Sequence, residues 1–186
     1  IPDLYVQNYI NDPSMMRRPP QDANGFAKDP VNPYSYTPAS DLVWIGSETG
    51  RFRPMVLGDK KDASTGLGVV ITELGPSPGL ELYVANDERP NQLWHHDPLQ
   101  NEFVDTALLR GSAHGHSGNA QGSMGIACGD LDASGTPDLF VTNFYNESNN
   151  VFMNTGGYFR DLNVRCEIDR VSTFVVGFGC QAVDLD

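Results

Sequence analysis

The chain has 186 residues, of which 39% are hydrophobic, and its 24 acidic and 12 basic side chains give a formal net charge of −12. This length and apolar fraction are enough for one domain with its own core, whereas the acidic excess argues against a nucleic-acid partner, which requires a basic surface. No apolar run approaches the ~20 residues that cross a bilayer, so we expect no membrane insertion.

The glycine and proline content indicates the fold class. With 19 glycines and 13 prolines, and few runs of helix-favouring residues, the chain favours short strands joined by turns, and we predict an all-β fold. Residues 1–40 are rich in proline, asparagine and aspartate and show no clean periodicity. They indicate an irregular N-terminal segment that packs on the remainder of the chain.

Two stretches of the remainder resemble each other. The sequence "GVVITELGPSPGLELYVAND" (68–87) aligns with "GIACGDLDASGTPDLFVTNF" (125–144), so that Glu73 matches Asp130 and Glu81 matches Asp138. The similarity continues further along, where "NQLWHHD" parallels "NNVFMNT" and "FVD" parallels "FRD". A period of roughly 55 residues is close to the range typical of propellers and solenoids. Each copy reads as four short strands, which is the content of one propeller blade.

The alignment divides the chain into β-propeller blades of four antiparallel strands, about three blades' worth in all. We assign a partial blade to 41–66, with Asp41 in the position of Asp138, full blades to 67–122 and 123–175, and the start of the next to 176–186. An incomplete ring leaves strand edges open, which proteins usually cover or pair. We therefore expect assembly with further chains or with a remainder of the same chain.

The loop "GDLDASGTPD" (129–138) crowds three carboxylates around a small turn. Such groups repel one another by roughly 1 to 4 kcal/mol per pair at about 4 Å, so a cation is expected among them. Calcium takes six to eight oxygen ligands, and the alternating loop positions supply them from the side chains of Asp130, Asp132, Ser134 and Asp138 and the carbonyl of Thr136. The alternative is a solvated turn, because Asp, Ser and Gly also favour turns for local reasons.

Other positions carry related predictions. Asp184 and Asp186 align with Asp130 and Asp132 and form the first half of a second calcium site. In the 73–81 copy, Gly75 and the following prolines remove the central ligand, so we expect no metal there. His95 and His96 fall in a predicted strand, where successive side chains face opposite ways, so we predict that they are ordinary strand residues.

The cysteines are also open to two interpretations. Three of them leave one unpaired in any disulfide scheme. The spacing does not decide between a pair formed by Cys166 and Cys180 and thiols that are all free.

The repeat from 125 to 161, together with its weaker copy from residue 68, resembles the FG-GAP or VCBS-type family of integrin-like propeller repeats. The similarity is greatest to extracellular proteins that carry such repeats with an ASPIC/UnbV domain, although no such domain is visible here. The resemblance implies a calcium-dotted propeller, typically of about seven blades. It also implies that the D-x-D-x-S-G-x-x-D pattern of residues 130–138 is a calcium loop.

Together these features predict a non-catalytic, calcium-binding module for protein or glycan interaction, adhesion or structural assembly. We expect an extracellular or periplasmic location, because modules there meet calcium near ~1 mM, which fills even weak sites. The alternative is the propeller portion of a secreted carbohydrate-active enzyme, a lyase or hydrolase, since propellers also support catalysis on loops at one face.

Overall fold

The structure of the protein is a computed structural model that describes residues 1–11, 23–25, 33–76, 78–100 and 102–185. Within these ranges the chain forms three antiparallel sheets, two short α-helices and two single-turn 3-10 helices, Pro33–Ser35 and Lys60–Asp62, which confirms the all-β prediction. In the same ranges, no helix is long and apolar enough to span a bilayer.

The first sheet has three strands in the order β1 (Leu4–Val6), β2 (Leu42–Gly46) and β3 (Phe52–Val56). Strand β1 belongs to the segment that we expected to be irregular, and that expectation is wrong for these three residues. Tyr5 explains the difference, because its ring packs against the apolar cluster beneath this sheet and its hydroxyl donates to the buried Asp41. A contact across 36 residues leaves no local periodicity to detect.

The second sheet has five strands, of which four are consecutive, namely β4 (Gly66–Thr72), β5 (Glu81–Arg89), β6 (Gln92–Asp97) and β7 (Glu102–Asp105). The four-residue helix α1 (Ala107–Arg110) follows β7, and the short β8 (Gln121–Gly122) pairs with the end of β5.

The third sheet repeats the arrangement with β9 (Ile126–Gly129), β10 (Asp138–Val141), β11 (Asn150–Thr155) and β12 (Tyr158–Asp161). Helix α2 (Ile168–Ser172) follows. Residues 176–185 have no regular secondary structure, and they approach the third sheet, since a Cβ built on Gly129 would lie 3.2 Å from the Ala182 Cβ.

The two apolar cores lie on opposite faces of β5. Leu82 and Val84 join a cluster with residues of the first sheet, whereas Tyr83 and Ala85 join a cluster with Leu139, Val141, Phe152 and Phe159 of the third. This division follows from the pleat, which turns successive side chains to opposite faces. Because both faces are covered, the first six residues of β5 are all buried. Each large apolar side chain buried in this way contributes about 1.5 to 3 kcal/mol.

The second and third sheets each contain the same polar contacts at aligned positions. The backbone N–H groups of Asn86 and Asn143, both fully buried, donate to the side-chain oxygens of Asn91 and Asn149, at 2.9 and 3.0 Å. Likewise Asp105 and Asp161 each accept from the backbone of the third strand of their own sheet, both at 3.0 Å. Closure of such sheets into a propeller ring remains a prediction.

Candidate metal site

The candidate site is the connection between β9 and β10, whose strands pair from Gly129 and Asp138 onward. The loop turns back on itself through two residues with a left-handed backbone, Ala133 at φ +59° and Gly135 at φ +86°. Glycine adopts this region without steric cost, so Gly135 occupies a position where most side chains would be strained. The turn brings the first half of the loop against the start of β10.

The structure brings together the three predicted carboxylates. One oxygen from each of Asp130, Asp132 and Asp138 lies within 4.8 Å of the others. Asp130 and Asp132 are exposed, whereas Asp138 has no accessible surface. At this separation each pair of negative charges repels by about 1 to 3 kcal/mol, depending on the local dielectric. A cation bound among them would remove that cost.

Backbone N–H groups hold the two exposed carboxylates in place. Asp130 accepts from Ser134 N at 2.9 Å and from Gly135 N at 2.8 Å, and Asp132 accepts from Ser134 N at 3.0 Å. The hydrogen bond from Gly135 is the main reason that the pKa of Asp130 lies below its ordinary value. Asp130 is therefore charged at neutral pH and fixed in direction, as a metal ligand should be.

Asp138 is held from two sides. Its Oδ2 accepts from Leu131 N at 2.8 Å, and its Oδ1 accepts from Asn154 N at 2.7 Å. A carboxylate oxygen has two lone pairs, so each oxygen retains capacity for a metal ion beside its N–H donor. Asp138 links the loop to the hairpin of β11 and β12.

Asn154 extends this link to the second sheet. Its Nδ2 donates to the carbonyl oxygens of Pro137 and Leu74, each at 2.9 Å, and its Oδ1 accepts from Gly157 N at 2.9 Å. We did not single out Asn154 in the sequence, because its contacts reach across 80 residues to Leu74. The loop is thus attached to the core between the second and third sheets.

The remaining predicted ligands differ in position. Ser134 and Thr136 lie in the loop, with their hydroxyls 3.0 Å apart, and Thr136 Oγ1 donates to the Asn154 carbonyl at 3.2 Å. Asp184 lies in the C-terminal segment and is not a member of the group of three carboxylates. Asp186 is outside the described residues.

The position that the alignment equates with Asp138 in the second sheet is Glu81, and it has a different partner. Glu81 is 3% exposed, and its Oε1 lies 2.5 Å from Nη1 of Arg110 and 3.4 Å from Nδ1 of His95. The Arg110 Nε also donates to the Gly157 carbonyl at 2.5 Å. A guanidinium from the end of α1 therefore neutralises the buried carboxylate in a loop where we expect no metal.

The position that the alignment equates with Asp138 in the first sheet is Asp41. Its Oδ2 accepts from the Tyr5 hydroxyl, and its Oδ1 accepts from Asn8 N at 2.7 Å. Burial raises the pKa of Asp41 above its ordinary value, and these hydrogen bonds oppose the rise. Sequence reasoning missed both Tyr5 and Arg110, because each lies about 30 residues or more from its partner.

A second acidic group lies where β5 meets β8. Glu147 Oε2 accepts from Gly122 N at 2.8 Å, and Asp87 Oδ2 accepts from the Tyr9 hydroxyl at 2.5 Å. Burial raises the pKa of Glu147 and of Glu88, and Asp87 adds to both shifts by charge repulsion. These carboxylates are not among the groups that could share an ion within the described ranges.

The histidines and cysteines complete the candidate set. His95 and His96 both lie in β6, which confirms their prediction as strand residues. No histidine belongs to a group of potential metal ligands in the part of the chain that the structure describes. Cys128, Cys166 and Cys180 form no disulfide with one another in this structure.

Comparison with known proteins adds no identification, since no family model matches the chain and no curated protein matches it either.

Proposed function

We propose that the chain is a calcium-stabilised β-repeat module of the FG-GAP or VCBS type. It works outside the cytoplasm, where it binds a protein or glycan partner or takes part in a larger assembly, without catalysis of its own. Its sheets are blades of a propeller. The observation that carries the proposal is the convergence of Asp130, Asp132 and Asp138 within 4.8 Å.

The chemistry of the donors supports calcium over other ions. The loop offers only oxygen ligands, which suit calcium, magnesium and manganese, whereas zinc and copper favour nitrogen or sulfur donors. Magnesium binds with near-ideal octahedral geometry and keeps several waters, whereas calcium accepts irregular sets of six to eight oxygens. The side chains of Asp130, Asp132, Ser134 and Asp138, with the Thr136 carbonyl, would form such a set together with water.

The proposed role of the ion is structural. It would cancel the repulsion among the three carboxylates and fix the turn that leads into β10. Since Asp138 also holds Asn154, which reaches the second sheet through Leu74, a bound ion would stabilise the packing of two sheets. Calcium near ~1 mM outside the cytoplasm would keep even a weak site filled.

Calorimetric titration of chelator-treated protein with calcium tests the binding. We expect one site with a dissociation constant of about 0.1 to 1 mM, the range of extracellular modules, and no measurable binding by Asp132→Ala. The matched control is Asp97→Ala, which removes a half-buried aspartate at the end of β6, outside the 130–138 loop. Unchanged calcium binding by Asp132→Ala would rule out the loop as the site.

A further inference from the structure

A cavity of about 880 Å³ opens between the first and second sheets. Its walls include Met55 of β3, Trp94 of β6 and Phe103 of β7. The volume lies within the range of small-molecule sites, about 300 to 1,000 Å³. No residue of the 130–138 loop lines the cavity. A ligand of the cavity would therefore bind at a different place from the proposed calcium ion.

Aromatic and apolar side chains form much of the wall. Phe103 packs on the ring of His96 with the ring centroids 5.2 Å apart. Trp94 is 2% exposed and contributes its ring to the buried part of the wall. Aromatic rings attract cations through the negative potential of their faces. The wall therefore suits a ligand with an apolar body and a positive charge.

The charges around the cavity point the same way. Four acidic residues line it, namely Asp59, Asp62, Glu102 and Asp105, against the two basic residues Arg53 and Lys61. The Lys61 Nζ lies 3.4 Å from Asp59 Oδ2, so that pair largely neutralises itself. The other three acidic residues outnumber Arg53, so the net charge of the lining is negative and it attracts cations.

Asp105 is fixed in this negative region. Its Oδ1 accepts from Leu93 N at 3.0 Å and from Ala107 N at 2.9 Å. Loss of solvation raises the pKa of Asp105, and the negative charge of Asp62 adds to the rise. A cationic ligand beside Asp105 would relieve this repulsion from Asp62.

We propose that this cavity binds an organic ammonium ion that carries an apolar group. The ammonium lies among Asp62, Glu102 and Asp105, and the apolar group packs against Met55, Trp94 and Phe103. An anion of the same shape is repelled, and a neutral analogue keeps only the apolar contact. Because the cavity and the acidic loop share no residue, the two proposals can fail separately.

Three probes of similar shape test the charge preference, namely phenethylammonium, 2-phenylethanol and 3-phenylpropanoate. The readout is the indole N–H resonance of Trp94, which Trp44→Phe assigns, since the chain has two tryptophans. We expect saturable shifts with the ammonium, weaker binding of the alcohol and none of the carboxylate. No shift with the ammonium up to about 50 mM, or equal affinity for ammonium and alcohol, would overturn the proposal.

A matched pair of variants locates the charge effect. Glu102→Gln removes an exposed cavity carboxylate, and Glu48→Gln removes an equally exposed one from the turn between β2 and β3, outside the cavity. We expect Glu102→Gln to weaken phenethylammonium binding about two- to fivefold, and Glu48→Gln to leave it unchanged. Equal effects of both variants would show attraction to overall charge instead of binding in the cavity.

Discussion

A buried acid lies at the start of the second strand of each sheet, where Glu81 and Asp138 are the first strand residues and Asp41 immediately precedes β2. Its neutralisation differs from sheet to sheet. Asp41 accepts hydrogen bonds from the Tyr5 hydroxyl and the Asn8 backbone. Glu81 forms an ion pair with the guanidinium of Arg110. Asp138 accepts from two backbone N–H groups and lies beside two exposed aspartates. A buried carboxylate must be paired or hydrogen-bonded. This contrast makes Asp138 the position of the three that most favours a metal ion.

Removal of the Arg110 side chain tests the second of these arrangements. Arg110→Met leaves Glu81 buried with only the more distant His95, and we expect a loss of about 3 kcal/mol in the free energy of unfolding. Adding Glu81→Gln should recover much of this loss, because the uncompensated charge is gone. Urea denaturation measures both effects.

Arg170→Met is the matched control. The ion pair of Arg170 with Glu167 is mostly exposed, with both side chains more than 60% accessible, so its loss should cost less than about 1 kcal/mol. A similar cost for the Arg110 and Arg170 variants would contradict the account of a buried, neutralised carboxylate.

Glu147 supplies a pH prediction. Because burial raises the pKa of Glu147 in the folded protein, folding favours the protonated carboxyl. The free energy of unfolding therefore falls as the pH rises from the ordinary pKa of Glu147 through its raised pKa. Glu147→Gln keeps an acceptor for Gly122 N and removes the charge, so it should become more stable relative to wild type between pH 4 and pH 7. Urea midpoints at the two pH values measure this, and a difference that shrinks toward pH 7 would contradict it.

Among the elements, the strands were more predictable than their partners. The alternation and composition of the aligned copies predicted four strands in each, and the second and third sheets contain them. The three aspartates of the loop were found from their spacing, and the structure brings them together. Strand β1, Arg110 and Asn154 were not found, because each acts through contacts that are distant in sequence and leave no local pattern.

The turn between β10 and β11 depends on Asn143. Its Nδ2 donates to the Ser148 carbonyl at 2.6 Å and to Asn150 Oδ1 at 2.8 Å, and its Oδ1 accepts from Ser123 Oγ at 2.9 Å. Asn143→Ala removes these three hydrogen bonds, and it leaves Ser123 Oγ and Asn150 Oδ1 without this buried side-chain partner, so we expect a loss of about 2 to 4 kcal/mol. Thermal unfolding compares this variant with Asn119→Ala, which truncates an exposed side chain and should lower the free energy of unfolding only slightly. Equal costs would contradict a structural role for Asn143.

At the scale of the molecule, the second sheet joins the first and third through cores on its two faces. The acidic loop is attached to one of these cores through Asp138 and Asn154. Order in the loop is therefore coupled to the packing of the second sheet on the third. An ion that stabilises the loop should raise the stability of the whole molecule and not only that of the turn.

Thermal unfolding with and without calcium tests this central claim most directly. With a dissociation constant of about 0.1 to 1 mM, 10 mM calcium should stabilise the protein by about 1.4 to 2.7 kcal/mol, which raises Tm by about 3 to 10 °C for a chain of this size. We expect Asp132→Ala to lose the calcium effect and magnesium to reproduce little of it. A wild-type Tm that is the same in 10 mM calcium and in excess chelator would contradict the account.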